Sequence, residues 1–197
     1  MYASGLFALL ACLSLSTAQA PATQDLSGVS LAQLAYGGSG CPQGSLKFAE
    51  LITPWRFVSI TDGFTAAVGS NASVTDQRKA CQINISLNYP AGLQFTLVNS
   101  TYSGYANLGY GVNGTHNLSM YFSGSSEQKA FPDTLQGTLD EKFTVYKLTH
   151  LETTDVWSPC GAPSPLNVVN ELSVTQTGTG SLYDSGIMDL AFLWRTC

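Results

Sequence analysis

Residues 81–89 alternate apolar and polar side chains without a break. Because successive side chains of a β-strand point to opposite faces, this period is typical of a strand with one buried face. The same period recurs at residues 93–97, 142–148, 166–174 and 188–194, with turn-forming residues between the segments. Strands at such intervals are typical of a sandwich or barrel. The sequence therefore predicts a single all-β domain, an antiparallel β-sandwich.

Two connections and one opening element are predicted from turn residues and strand patterns. Residues 90–92, Pro-Ala-Gly, predict a hairpin or a corner, and residues 30–36 suit a short helix or an opening strand. Asn113-Gly114 is typical of a hairpin turn between residues 102–112 and 115–122. A loop lengthened to Thr115 creates one apolar face, with the pairs Tyr110–Leu118, Leu108–Met120 and Ala106–Phe122. The polar face of this hairpin would then carry Tyr105 and Tyr121 together.

The first 20 residues are predicted to be a signal peptide. An apolar run extends from Leu6 to Leu15, and Ala18-Gln19-Ala20 has the small-x-small pattern that signal peptidase accepts. The run is shorter than the roughly 20 residues that span a bilayer. We therefore expect cleavage after Ala20, a secreted extracellular protein without a membrane anchor, and one domain over residues 21–197.

Cysteine usage favours two disulfides in an oxidising compartment. Cys12 lies in the predicted signal peptide, which leaves Cys41, Cys81, Cys160 and Cys197. These cysteines form no C-x-x-C motif, and neither histidine has zinc-ligand spacing, so a metal cluster is disfavoured. Three pairings exist. We prefer Cys41–Cys81 and Cys160–Cys197, because each closes a loop of roughly forty residues, worth about 3–4 kcal/mol.

Charge and composition exclude several functions. Eight Lys and Arg against thirteen Asp and Glu give a net charge of −5, which disfavours nucleic acid and anionic membranes as partners. Phosphate-binding, dinucleotide, EF-hand and zinc-protease motifs are absent from the sequence, so no cofactor is expected. The pattern puts His116 on the apolar side of its strand, which favours a core or strand-edge histidine over a catalytic base, and His150 ends a strand pattern.

Five Asn-x-Ser/Thr sequons predict N-glycosylation. They lie at Asn71, Asn84, Asn99, Asn113 and Asn117. Alternation places Asn84 and Asn117 on solvent-exposed faces, and we expect at least two of the five to carry glycans.

Carboxylates provide the alternative function, glycan hydrolysis by two acidic residues that the fold brings together. Asp62 and Asp133 have the neighbours of turn residues, and the spacing of Asp184 and Asp189 matches no calcium loop. The candidate acids are Glu50, Asp62, Glu127, Asp133, Asp140, Glu141, Glu152, Asp155, Glu171, Asp184 and Asp189.

Tyrosines in a Gly- and Asn-rich stretch provide a candidate binding surface. Flat rings cover the apolar faces of sugars, while amides and hydroxyls read sugar hydroxyl groups. Tyr105 and Tyr121 lie on the polar faces of their strands and are the candidate ligand-binding residues. Tyr110 and Phe122 are expected in the core.

Six short blocks follow one another along the chain in a recognisable order. They are GSGCPQGS (38–45), RKACQIN (78–84), YPAG (89–92), YFSG (121–124), WSPCG (157–161) and WRTC (194–197). The ordered set resembles the secreted, mostly fungal family catalogued as domain of unknown function 4360, from about Val29 to Cys197. The resemblance implies a secreted, β-rich domain with paired cysteines and implies no activity.

Together these features predict a non-catalytic extracellular or cell-wall-associated protein. Its candidate partners are an extracellular polysaccharide or a component of a host surface. The hydrolase with paired carboxylates is the alternative.

Overall fold

The computed structural model describes residues 24–148, 156–160, 162–175 and 177–197. The predicted signal peptide, His150, Glu152 and Asp155 lie outside these residues. The described residues form a short 3₁₀ helix, Val74–Asp76, and twelve strands, and none of their helices is long and apolar enough to cross a membrane. The strands are β1 Ser30–Gly37, β2 Leu46–Thr53, β3 Arg56–Thr61, β4 Phe64–Val68, β5 Arg78–Asn88, β6 Leu93–Leu108, β7 Asn113–Phe122, β8 Gln128–Gln136, β9 Leu139–Leu148, β10 Leu166–Val174, β11 Gly180–Asp184 and β12 Ile187–Thr196.

The strands form two antiparallel sheets, which confirms the predicted fold class. The first sheet has the order β1-β5-β10-β7-β8. In the second sheet, β6 is the long central strand. β12 and β11 pair with successive parts of one of its edges, and β9 pairs with the other edge. β3 and β4 pair in turn with β12 and β11, and β2 pairs with β3. Both edges of β6 are therefore occupied.

The core lies between the sheets and is built from the inward face of each strand. On β5, Ile83, Ile85 and Leu87 are buried, as their alternation predicts. The ring of Phe95 on β6 packs edge-on against Phe122 of the first sheet, with 5.2 Å between the ring centroids. Side chains from both sheets thus interlock, as in other sandwiches. The predicted shared face of β12 is also confirmed, since Met188, Leu190, Phe192 and Trp194 are buried.

Both preferred disulfides are confirmed. Cys41, which follows β1, is bonded to Cys81 on β5, and Cys160 is bonded to Cys197 after β12. The sequence separations are 40 and 37 residues.

The predicted hairpin around Asn113-Gly114 is wrong. β6 belongs to the second sheet and β7 to the first, and residues 109–112 connect the two sheets. Both strands still turn their apolar faces to the same core. The alternation pattern of a strand is therefore the same whether its partner lies beside it in one sheet or opposite it across the core. Tyr110, expected in the core, lies in this connection and is 95% exposed, whereas Phe122 is buried as expected.

The structure decides the other open connections. Residues 30–36 belong to a strand, and residues 90–92 form a corner because β5 and β6 lie in different sheets. Asp62 lies between β3 and β4, as a turn residue should. Asp133 lies within β8 and not in a turn, and the preceding Pro132 is accommodated because β8 is an edge strand.

Candidate functional site

The two outer faces of the sandwich differ in chemistry. The outer face of the first sheet carries a hydrogen-bonded network of amide and hydroxyl side chains. The buried Asn167 lies at the centre of this network. Asn167 Oδ1 accepts hydrogen bonds from Gln82 Nε2 at 2.9 Å and Asn84 Nδ2 at 3.0 Å, and its Nδ2 donates to Ser123 Oγ at 2.9 Å. Tyr121 closes the network by accepting from Gln82. These polar groups satisfy one another.

The second sheet exposes apolar and aromatic side chains instead. Among the described strand residues, all large apolar side chains that are exposed belong to this sheet. They are Phe48, Ile52, Tyr105, Tyr146, Tyr183, Ile187 and Leu193. Where exposed apolar side chains adjoin one another on such a face, they mark a candidate binding surface.

Tyr105 and Tyr183 form the centre of this face. They are directly paired across β6 and β11, and they are 38% and 40% exposed. A Cβ atom on Gly63 would lie 2.2 Å from the Tyr183 hydroxyl, so the ring lies over this glycine. The missing side chain at Gly63 lets the Tyr183 ring lie close to the sheet surface.

An open depression of about 340 Å³ adjoins the two rings. Ser103, Ser185, Thr144 and Lys142 line it together with Tyr105 and Tyr183. We call this surface the tyrosine depression. Its hydroxyl groups and ammonium group can donate hydrogen bonds, and its rings provide apolar contact.

Asp140 holds one wall of the tyrosine depression in place. Its Oδ1 accepts hydrogen bonds from the Tyr105 hydroxyl at 2.6 Å and from Asn107 Nδ2 at 2.8 Å. The hydrogen bond to Asp140 raises the pKa of Tyr105. The Tyr105 phenol is thus oriented and kept protonated, while its ring stays open to solvent.

The structure separates the two predicted ligand-binding tyrosines. Tyr105 is on the second sheet and Tyr121 on the first, because the hairpin that would have joined their faces does not form. The sequence interpretation missed Tyr183 and Tyr146. Tyr183 lies in a five-residue strand, too short for a distinct period, and the polar Asp184 on the inward face breaks the apolar alternation.

The predicted glycosylation sites favour the first sheet. Asn113 and the half-buried Asn84 and Asn117 lie on its strands, Asn99 is half-buried on β6, and Asn71 is exposed after β4. Along β6, Asn99 lies six residues from Tyr105, about 20 Å at the usual rise of a strand. The tyrosine depression is therefore separated from this sequon.

Four of the candidate catalytic carboxylates form ion pairs with Lys or Arg. Asp62 pairs with Lys47, Asp189 with Arg56, Glu171 with Arg78 and Asp133 with Lys147. Among the described residues, no three His, Cys, Asp or Glu side chains come together as metal ligands.

His116 belongs to a polar cluster between the sheets. The residue is 1% exposed, and its Nε2 lies 3.3 Å from Asp184 Oδ2. Asp184 also accepts hydrogen bonds from Asn170 Nδ2 at 3.1 Å and from the Gly186 amide at 2.7 Å. The expected core position of His116 is confirmed. Since this cluster is buried, it offers no surface to a polymer.

Two solved structures align with most of this chain at low overall similarity. TmCBM61 in complex with β-1,4-galactotriose is 9% identical, with a TM-score of 0.32 over 87% of this chain and 92% of that chain. A carbohydrate-binding module of family 29 is 12% identical, with a TM-score of 0.27 over 81% and 90% of the two chains.

Sequence comparison gives a firmer relationship. An uncharacterised secreted protein of Arthroderma benhamiae is 37% identical over 149 residues, which are 76% of this chain and 60% of the relative. The chain thus spans about three fifths of that relative's length. The relative is secreted, in agreement with the localisation predicted from the sequence. The model of the family described as "Domain of unknown function (DUF4360)" matches residues 27–197, and the chain therefore belongs to this family.

Proposed function

We propose that this secreted protein binds carbohydrate through the tyrosine depression on the outer face of its second sheet. The observation that carries the proposal is the direct pairing of two exposed rings, Tyr105 and Tyr183, beside a depression lined with hydroxyl groups. The flat rings would cover the apolar face of a sugar, and Ser103, Thr144 and Ser185 would contact its hydroxyl groups.

The distribution of the sequons supports the choice of face. Three of the five predicted glycosylation sites, Asn84, Asn113 and Asn117, lie on the strands of the first sheet. If glycans are attached there, they cover the first sheet and leave the tyrosine depression accessible. We also propose that export removes the predicted signal peptide and that these N-glycans, with an extracellular or cell-wall location, belong to the mature protein.

The carboxylates favour binding over hydrolysis. A glycosidase of the usual kind needs two carboxyl groups about 5–10 Å apart across the sugar. The candidate acid beside the tyrosine depression is Asp140, which orients Tyr105 and Asn107. Asp184 lies beneath the sheet and is buried.

The proposal is tested with the glycosylated protein on a glycan array and on insoluble polysaccharides. The double variant Tyr105→Ala/Tyr183→Ala should lose affinity by about tenfold or more, because aromatic anchors dominate such surfaces. Tyr110→Ala is the matched control, since this tyrosine is exposed in the connection between the sheets. The proposal would be overturned if the double variant bound glycans as tightly as the wild-type protein. It would also be overturned if the glycosylated wild-type protein bound no glycan.

A further inference from the structure

Lys142 is an unpaired cation in the tyrosine depression. All eight Lys and Arg residues lie in the described part of the chain. Lys142 has neither an ion pair nor a hydrogen bond to any described residue, whereas the other seven have a partner. Those seven are Lys47 (Asp62), Arg56 (Asp189), Arg78 (Glu171), Lys79 (Asp76), Lys147 (Asp133), Lys129 (the Phe131 ring) and Arg195 (the Trp157 ring).

The position of Lys142 connects it with the two rings. It pairs directly with Tyr105 across β9 and β6, and Tyr105 pairs with Tyr183 on the other side. The three side chains therefore form one row across three neighbouring strands, which lie about 4.8 Å apart. A sugar stacked on the rings would bring its substituents within reach of the ammonium group.

Three acids on the outer face of this sheet or beneath it are held by other groups. Asp140, two residues along the same face, accepts hydrogen bonds from Tyr105 and Asn107. Asp189 pairs with Arg56 at 2.7 Å, and Asp184 is buried with Asn170 and the Gly186 amide. The net charge of −5 acts weakly at a distance, because salt screens charges beyond about 8 Å.

We propose that the ligand of the tyrosine depression is an acidic glycan, with a negatively charged sugar substituent bound by Lys142. This inference rests on the proposed carbohydrate-binding function and names its ligand class. Charge-assisted hydrogen bonds are stronger than neutral ones, so the ammonium group would select a charged sugar over its neutral counterpart.

The test compares oligogalacturonate of uniform length with the same oligosaccharide after full methyl esterification. Esterification removes the negative charge and keeps the sugar backbone. We expect the wild-type protein to bind the charged oligosaccharide about tenfold more tightly than the esterified one. This factor corresponds to the free energy of one charge-assisted hydrogen bond. Added salt should reduce this preference. A sulfated galactan oligosaccharide of equal length distinguishes a carboxylate from a sulfate ester as the preferred group.

Lys142→Met removes the charge and keeps an apolar stem. It should abolish the preference for charged over neutral oligosaccharide. Lys47→Met is the matched control, because it removes the same charge from the same sheet outside the depression and should keep the preference.

Three results would overturn the inference. If the protein binds neutral glycans as tightly as charged ones, or Lys142→Met keeps the preference, the ligand is not selected by its charge and carbohydrate binding still stands. If the protein binds no glycan on the array, both the proposed function and this inference fail.

Discussion

Tyr102 shows how a polar side chain can be accommodated between two apolar sheets. Its ring stacks on the imidazole of His116, with 3.3 Å between centroids and an angle of 12° between planes. Its hydroxyl donates a hydrogen bond to Asp133, which also pairs with Lys147 at 2.5 Å. Asp133 and Lys147 lie on β8 and β9, the edge strands of different sheets. The cluster therefore links the sheets where no backbone pairing does.

The surroundings of Tyr102 predict a loss of stability at alkaline pH. Burial and the hydrogen bond to Asp133 raise its pKa above the ordinary value of 10.0. Above about pH 10 the unfolded chain releases this proton while the folded chain retains it, so the free energy of unfolding falls as pH rises. Below that pH the contribution is fully present.

Tyr102→Phe provides the measurement. Urea unfolding at about pH 8 and about pH 11 should show a smaller loss of stability in the variant, which lacks the titrating group. The variant should be less stable at the lower pH, by about 1–2 kcal/mol for the lost hydrogen bond. The prediction would be contradicted if the free energy of unfolding fell by the same amount between the two pH values in Tyr102→Phe and in the wild-type protein.

Among the elements, the second sheet contains two rows of strands, each made of two short strands in series, and the two rows break side by side. β11 and β12 follow β6 in series with a break at Ser185-Gly186, and β3 and β4 break beside them at Asp62-Gly63. The Thr61 amide donates to the Gly186 carbonyl at 2.9 Å, which joins the two breaks. Gly186 has φ of 78°, and a Cβ atom there would lie 2.4 Å from the Thr61 carbonyl oxygen.

Gly186→Ala should therefore destabilise the protein through both strain and a backbone clash. We expect a loss of about 3 kcal/mol or more in the free energy of unfolding. Gly124→Ala is the control, because Gly124 has φ of 84° and a Cβ atom there would have no neighbouring atom within 4 Å. This control should lose only about 1 kcal/mol from backbone strain. Equal losses in both variants would show that the clash is relieved by movement of the strands.

Across the whole molecule, each disulfide ties a cysteine that lies between strands to a strand or to the residue that follows one. Cys41 precedes β2 and is bonded to β5, so it joins the connection between the sheets to the first sheet. Cys160 lies outside the strands and is bonded to the C-terminal Cys197. Each bond therefore restrains a segment that enters or leaves the sandwich.

Removing either disulfide should cost about 4 kcal/mol in the chain-entropy model. The paired variants Cys41→Ala/Cys81→Ala and Cys160→Ala/Cys197→Ala test the two bonds separately by urea unfolding. Since domains of this kind have only about 5–15 kcal/mol of stability, loss of both bonds should leave much of the protein unfolded at physiological temperature. Unchanged unfolding midpoints in the paired variants would contradict the assigned role.

The sequence predicted strands at residues 81–89, 93–97, 142–148, 166–174 and 188–194, and the preferred cysteine pairs are the ones that form. Alternation at residues 81–89 and 188–194 identified which side chains enter the core, because the period of a strand is a local property of the chain. The loop lengths closed by Cys41–Cys81 and Cys160–Cys197 are also readable from residue numbers. These features need no knowledge of which strands are neighbours.

Which strands are neighbours, and which outward side chains share a surface, follows from pairing between segments far apart in the sequence. Tyr105 lies beside Tyr183 and Lys142, while Tyr121 is on the other sheet. The partners of β6 are distant in sequence, and their backbone hydrogen bonds leave no mark on local alternation. Alternation determines whether a side chain faces the core or the solvent. The neighbours of a solvent-facing side chain depend on which distant segments pair with its strand.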